Sequence, residues 1–329
     1  MKNLITDVAG LRVGAAQDAR VASGVSVVLF DEPAVAGIAT PGGAPALRDS
    51  ALLAPEMTVQ AVDALVLSGG SAFGLDASGG VMAYLAALGR GFAKEDARVP
   101  ICPGASLFDL THGGDKKWGR RSPYGEMGYA AVESAGLDFA LGTAGAGYGA
   151  STYDLKGGLG SASAITSRGF TVGALVAVNA AGRATRGSSP HFWAASFERD
   201  GEFGGRGEGA RAHDMFTLAL TSDEPANTTI AIVATDAAFN KAQMTRIALM
   251  ASGGLALALR PAFAPPDGDV VFAASTGRSR ETPTIRDLTE IGTLAAECLA
   301  RAIARGIYEA TALPFPRAKP SWKDRYASA

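Results

Sequence analysis

The chain has 329 residues, 47% of them hydrophobic and 19% charged, which allows a large packed core and excludes a disordered polymer. A net charge of -2 and a pI near 6.0 give no reason to expect nucleic acid or an anionic membrane surface as partner. No run of 18 uncharged apolar residues escapes interruption by glycine, and Met1 to Asp7 hold no long apolar segment, so a soluble cytoplasmic protein is expected.

Taken in chain order, Val25 to Phe30 reads as a strand, followed by an Ala/Gly/Pro stretch to Pro45. Ala64 to Leu67 is a short apolar run ending at Ser68-Gly69-Gly70-Ser71, after which Ala72 to Leu88 shows helical spacing. The turn lacks both the Gly-Lys-Ser/Thr ending of a phosphate loop and a G-x-S-x-G elbow, so a tight turn that packs the helix on a sheet is the better account. Val99 to Cys102 and Ala105 to Asp109 suggest another strand and its exit. Residues 112–127, with Lys116, Lys117, Arg120 and Arg121, read as a solvated basic loop.

Gly142 to Ser151 is a second glycine-rich segment, and Thr171 to Asn179 is a strong strand. Phe197 to Gly209 is charged and glycine-rich, hence an expected mobile surface segment, with a further strand between it and Asn227. Asn240 to Leu259 has the apolar spacing of a helix, Asp269 to Ala274 that of a strand. Thr284 to Ala310 reads as a long helix with Leu288, Ile291, Leu294, Ala295, Cys298, Leu299 and Ile303 on its apolar face. The mixture predicts layered α/β packing. The 42 glycines, scattered and in doublets, predict tight turns and close backbone approach. Cys102 and Cys298, far apart in apolar surroundings, read as buried free thiols.

Chemistry is sparse. His112, His191 and His213 show no metal-ligand spacing and there is no C-x-x-C, so no metal or other cofactor is expected. The junction Asn227-Thr228-Thr229, where a Pro-containing loop meets the β-branched run Ile230 to Thr235, admits two readings. It is either a plain loop-to-strand junction or a self-cleavage site at which Thr228 becomes an N-terminal nucleophile. An exposed amine would then serve as the base that histidine does not provide, since its ordinary pKa lies near 7.7–8.0. Asp267 and Asp269, two apart at a strand entrance, are either exposed turn carboxylates or a pair orienting that amine. Lys156 is either exposed or a supporting cation; Asn179 is a strand end or an oxyanion donor. Rival readings are a serine hydrolase built on Ser71 or Ser106 with His112, and an uncleaved small-ligand-binding or assembly protein.

Several segments together give the chain a resemblance to the DmpA-type aminopeptidase family, which includes β-peptidyl aminopeptidases and the nylon-oligomer endo-hydrolase. They are Leu67 to Ala77, Ala144 to Gly147, Val178-Asn179, Asn227 to Ile230 and Asp267-Gly268-Asp269. The resemblance implies a single-domain α/β fold, a four-layer αββα sandwich, cut into residues 1–227 and 228–329. It implies Thr228 as nucleophile, with Asp267, Asp269, Lys156 and Asn179 in support and Asn227 at the cleavage point. Phe108, which stands where the nylon hydrolase has a tyrosine, and Gly147 are implied to line the substrate site. The implied substrate is a small peptide or amide, and the implied assembly a homo-oligomer, a tetramer.

Overall fold

The computed structural model describes residues 1–211, 213–218, 227–316 and 318–326. Its strands form two leaves that share one long strand. In the first leaf, β1 (Leu11–Asp18) pairs antiparallel with β2 (Ser23–Ala39), which pairs antiparallel with β4 (Val62–Ser68). β4 runs parallel to β7 (Gly104–Ser106), and β3 (Ala46–Arg48) closes that edge. In the second leaf, β8 (Gly158–Ile165), β9 (Thr171–Val178), β10 (Ile230–Thr235) and β11 (Val270–Ser275) follow in order, and β11 pairs with the second half of β2. The pairing register of β2 shifts between Leu29 and Ala34, where the strand passes from one leaf to the other. A separate hairpin, β5 (Phe92–Lys94) with β6 (Ala97–Val99), stands apart from both leaves.

Three apolar clusters define three interfaces, and therefore four layers. Along β10, Ile230, Ile232 and Ala234 face a cluster that also holds Val28 and Leu65 of the first leaf. Ala231 and Val233 point the other way, toward α3 (Lys241–Ala258) and α4 (Ile285–Tyr308). On the first leaf, Val27 and Val66 turn outward to α1 (Ala77–Ala87) and α2 (Tyr124–Glu133). Strands buried on both faces read as unbroken apolar runs, which is why β9 and β10 stand out in the sequence. The parallel pair β10 and β11 needs a crossover, and α3 supplies it. A short α5 (Trp322–Tyr326) ends the described chain. No helix among the described residues is long and apolar enough to cross a membrane.

The glycines act as expected at two helix contacts. A Cβ on Gly160 of β8 would lie 1.8 Å from the Ala302 carbonyl of α4, and one on Gly80 of α1 would lie 1.8 Å from the Gly125 carbonyl of α2. Bare backbone at these points lets helix meet sheet, and helix meet helix, at closest approach. Both cysteines are buried and free.

Some expectations need correction. The Ala/Gly/Pro stretch after Phe30 is largely a continuation of β2, because Val35 to Ala39 find a partner in β11. The helix expected from Ala72 is a 3-10 helix over Ser71–Asp76 before α1 begins. The basic loop ends in α2, whose Tyr124, Met127, Ala131 and Val132 recur at helical spacing on a buried face. The segment expected to be mobile is pinned: Phe203 is buried, and Glu202 accepts from Arg301 Nε at 2.5 Å. Of the strand expected before Asn227, residues 213–218 form a turn instead, and 219–226 lie outside the described residues.

Candidate active site

Sheet register builds the site. Ile230 stands opposite Ala177 of β9 on one side and Val270 of β11 on the other. Two residues back along β10, the same register sets Thr228 between Asn179 and Gly268. The Thr228 N–H donates to the Asn179 carbonyl at 2.6 Å, and the Gly268 N–H donates to the Asn227 carbonyl at 3.1 Å. Thr228 Oγ1 donates to the same Asn227 oxygen at 2.6 Å and accepts from the Gly268 N–H at 3.2 Å. The hydroxyl therefore lies against the carbonyl of its own preceding peptide bond, and one backbone donor touches both. Thr228, Asn227 and Asn179 are all buried.

Two carboxylates complete the mouth of the parallel strands. Asp269 Oδ1 accepts the Thr229 N–H at 2.8 Å, and Oδ2 accepts the Phe263 N–H at 3.1 Å. Asp267 is as deeply buried, yet its Oδ1 has no hydrogen-bond partner among the described residues. Burial, reinforced by the neighbouring Asp269, pushes the Asp267 carboxyl up to about 8, so it is mostly protonated at neutral pH. Burial also raises Asp269, against the two N–H donors that favour its charged form. Residues left unassigned by sequence hold this acidic entrance. Gly42 and Ala44 N–H donate to the Asp269 and Asp267 carbonyls, and a Cβ on Gly42 would lie 2.1 Å from the Asp269 nitrogen.

Asn179 joins this mouth to the glycine-rich segment. Its Oδ1 accepts the Ser151 N–H at 2.9 Å and its Nδ2 donates to the Phe108 carbonyl at 3.0 Å. The carboxamide thus holds two backbone segments, while its own main-chain carbonyl meets Thr228. Lys156 is buried, not exposed. Its Nζ donates to the carbonyls of Gly147, Ala150 and Gly157 at 2.9–3.0 Å, so it fixes the segment that presents Ser151. Burial pulls its ammonium down to about 7, with the more distant Asp109 opposing. Of the implied substrate-lining residues, Phe108 is half-buried, and Gly147 is fully buried with its carbonyl engaged by Lys156.

Beside Lys156 lies a cavity of about 50 Å³ lined in part by His112, Ser151 and Lys319. His112 Nδ1 contacts the Gly149 carbonyl at 3.0 Å, and both ring nitrogens lie 3.3–3.4 Å from Ser151 Oγ. Burial lowers its pKa. Ser151 drew no notice in the sequence, since no local pattern marks a serine that closes a glycine-rich run. The serine-hydrolase constellation does not assemble: Ser106 Oγ donates to the Ser71 carbonyl at 2.5 Å, and His112 faces Ser151.

The family model described as Peptidase family S58 matches residues 3–319. The chain belongs to this family. It is accordingly a hydrolase of peptide bonds, and the DmpA-type resemblance holds along the whole chain. An uncharacterized aminopeptidase of Mycobacterium bovis is 41% identical over 351 aligned residues, covering 99% of each chain. Another, of Mycobacterium leprae, is 38% identical over 327 residues, covering 92% of this chain and 89% of its own. Among solved structures, a Burkholderia sp. beta-aminopeptidase superposes with a TM-score of 0.70 at 20% identity, over 99% of this chain and 92% of that one. The L-aminopeptidase D-Ala-esterase/amidase from Ochrobactrum anthropi, described as a variant of the Ntn hydrolase fold, gives 0.70 at 20% over 99% and 93%. At that identity the likeness shows the fold, which is this S58 chain's own: a single-domain α/β sandwich with helices outside.

Proposed function

We propose that this S58 chain is made as a precursor that cuts itself between Asn227 and Thr228, and then acts as an N-terminal-threonine aminopeptidase. The observation that carries the reading is the 2.6 Å contact of Thr228 Oγ1 with the Asn227 carbonyl, under a shared Gly268 donor. In the first reaction Oγ1 bonds to the Asn227 carbonyl carbon while its proton leaves for the Thr228 nitrogen. The C–N bond breaks, and an ester joins the two segments until water opens it to an Asn227 carboxylate and a free Thr228. The Gly268 N–H stabilises the carbonyl oxygen as it gains charge. Asp267, largely protonated in the uncut chain, relays that proton, giving its own to the departing nitrogen and regaining one from Oγ1.

In the second reaction the new Thr228 amine takes the hydroxyl proton, directly or through water, as Oγ1 attacks a substrate amide. Once the amine has taken that proton, its charge draws Asp267 toward the ionised form, and Asp267 with Asp269 holds the N-terminus in place. Lys156 and Asn179 keep Ser151 and the Asn179 carbonyl in register with Thr228. Substrates are short peptides, β-peptides or ω-amino-acid amides, and the enzyme works in the cytoplasm as a homo-oligomer, by resemblance a tetramer.

Intact mass of the purified chain tests this directly. The expected result is two chains, the smaller beginning at Thr228, with Thr228→Ala remaining whole and inactive toward aminoacyl amides. A Thr228→Ala chain that still splits, or a wild-type chain that stays whole, overturns the reading; the latter outcome is what a ligand-binding or assembly protein gives.

A further inference from the structure

The glycines of α1 and α2 are of two kinds. A Cβ on Gly80 would lie 1.8 Å from the Gly125 carbonyl oxygen, and one on Gly128 would lie 2.1 Å from that of Ala77, so helix packing requires both. Gly79 and Gly125 are different. The nearest group to a Cβ on Gly79 would be Arg48 Nη1 at 3.5 Å, and on Gly125 the Asp76 carbonyl at 3.9 Å, both ordinary contact distances. Neither residue has the positive φ that favours glycine. Glycine is the least favourable helix residue after proline, and here neither packing nor backbone conformation calls for it. What the two share is a cleft of about 530 Å³, which both line. That volume lies in the range of small-molecule sites, and a side chain at either position would take up part of it. None of the residues around Thr228 lines this cleft.

The charges around this glycine floor are of both signs. Two of them are held locally: Arg48 donates to the Leu75 carbonyl at 3.2 Å, and Asp76 accepts from the Ser122 hydroxyl at 2.6 Å. Three are not. Arg120 and Arg121, just before α2, and Glu126 in its first turn line the same cleft. Their side chains enter no ion pair or hydrogen bond among the described residues. Two guanidinium forks suit a carboxylate, and the Glu126 carboxylate is an acceptor for an ammonium. A free amino acid or short peptide carries that pair of groups at its ends, and to a peptidase such molecules are substrate and product. Tyr129, 37% exposed and edge-on to Tyr84, adds an apolar wall. We infer that the cleft is a second binding site, taking the two charged ends of a short peptide or amino acid, with its carboxylate on Arg120 and Arg121 and its ammonium on Glu126.

Titration calorimetry with the dipeptide glycyl-tyrosine tests the inference. It is carried out on the Thr228→Ala chain, so the result does not depend on whether the wild-type chain cuts itself. Saturable binding is expected. Acetylating the peptide's amine or amidating its carboxylate should weaken binding about 10-fold or more, as loss of a hydrogen bond to a charged group does. Arg120→Ser with Arg121→Ser should weaken the free dipeptide to a similar degree. Glu126→Gln should weaken it too, while leaving the acetylated peptide as it was. Gly79→Ala and Gly125→Ala should weaken binding while the melting temperature holds or rises, a combination that misfolding does not give. Absence of saturable binding overturns the inference, as does binding that survives the arginine pair or the glycine substitutions intact. Inorganic phosphate binding more tightly than the dipeptide also overturns it, and makes the cleft a site for oxyanions instead.

Discussion

Two buried cations in this molecule are held in opposite ways. Arg301 donates to both Glu202 oxygens, at 2.5 and 3.0 Å, to the Ser163 carbonyl and to Asn3 Oδ1. Lys156 is as buried, yet it meets only carbonyl dipoles. The anions mirror the contrast. Hydrogen bonds from Arg301 and Asn3 outweigh burial and hold Glu202 below the usual carboxylate range, whereas burial beside Asp269 lifts Asp267 to about 8. A paired charge is locked into one protonation state and serves the fold. An unpaired one near neutrality can change state, which is what proton-transfer chemistry needs.

That contrast can be broken by substitution. Thr228→Ala should abolish both self-cutting and turnover yet still fold, unfolding in urea as one chain at a midpoint independent of protein concentration; a variant that does not fold would mean the threonine serves the fold as well. Glu202→Ala should do the reverse. It leaves Arg301 buried without its partner, costing about 3–5 kcal/mol by urea unfolding, while molecules that do fold still cut. Asn179→Ala sits between the two. It orphans the Ser151 N–H and the Phe108 carbonyl, costing roughly 1–3 kcal/mol, and should slow cutting by up to about 10²-fold through misplacement of Thr228. Equal cutting rates in the variant and wild type would detach Asn179 from the chemistry.

The contrast also predicts a pH signature, read in the uncut Thr228→Ala background. The folded pKa of Asp267 is raised from 3.8 to about 8, so its contribution to stability is full below about pH 4 and is lost as pH rises to about 8. The folded pKa of Lys156 is depressed from 10.5 to about 7, so its contribution is full above about pH 10.5 and is lost as pH falls to about 7. Together the two groups should place a trough near pH 7–8. Asp267→Asn should fill its acid side and Lys156→Met its alkaline side, measured as the difference in unfolding free energy from the background chain. Difference curves flat across pH 4–10 would remove both groups from the argument.

The sequence made strand and helix legible where burial imposes a period. β9, β10, α3 and α4 fell close to their expected bounds because each is buried along a whole face or stripe. β2 was shortened to its first half, because Asp31, Glu32 and Pro33 interrupt the apolar pattern at the point where the strand changes leaf. Glu202 and Arg301 are 99 residues apart, and local composition showed only a charged, glycine-rich stretch. At the candidate site, Thr228, Asp267 and Asp269 could be named from motifs. The Asn179–Ser151 link and the carbonyl cage around Lys156 could not, since both arise from register and turns rather than residue type.

The strand order β2-β11-β10-β9 has a further consequence for the chain if it is cut as proposed. β10 and β11 belong to residues 228–329, and the strands on either side of them, β9 and β2, belong to 1–227. Once the Asn227–Thr228 bond is gone, the smaller piece is a wedge bonded edge to edge on both flanks inside the larger one. Unfolding then becomes a dissociation, with a midpoint that climbs with protein concentration although no side chain has moved.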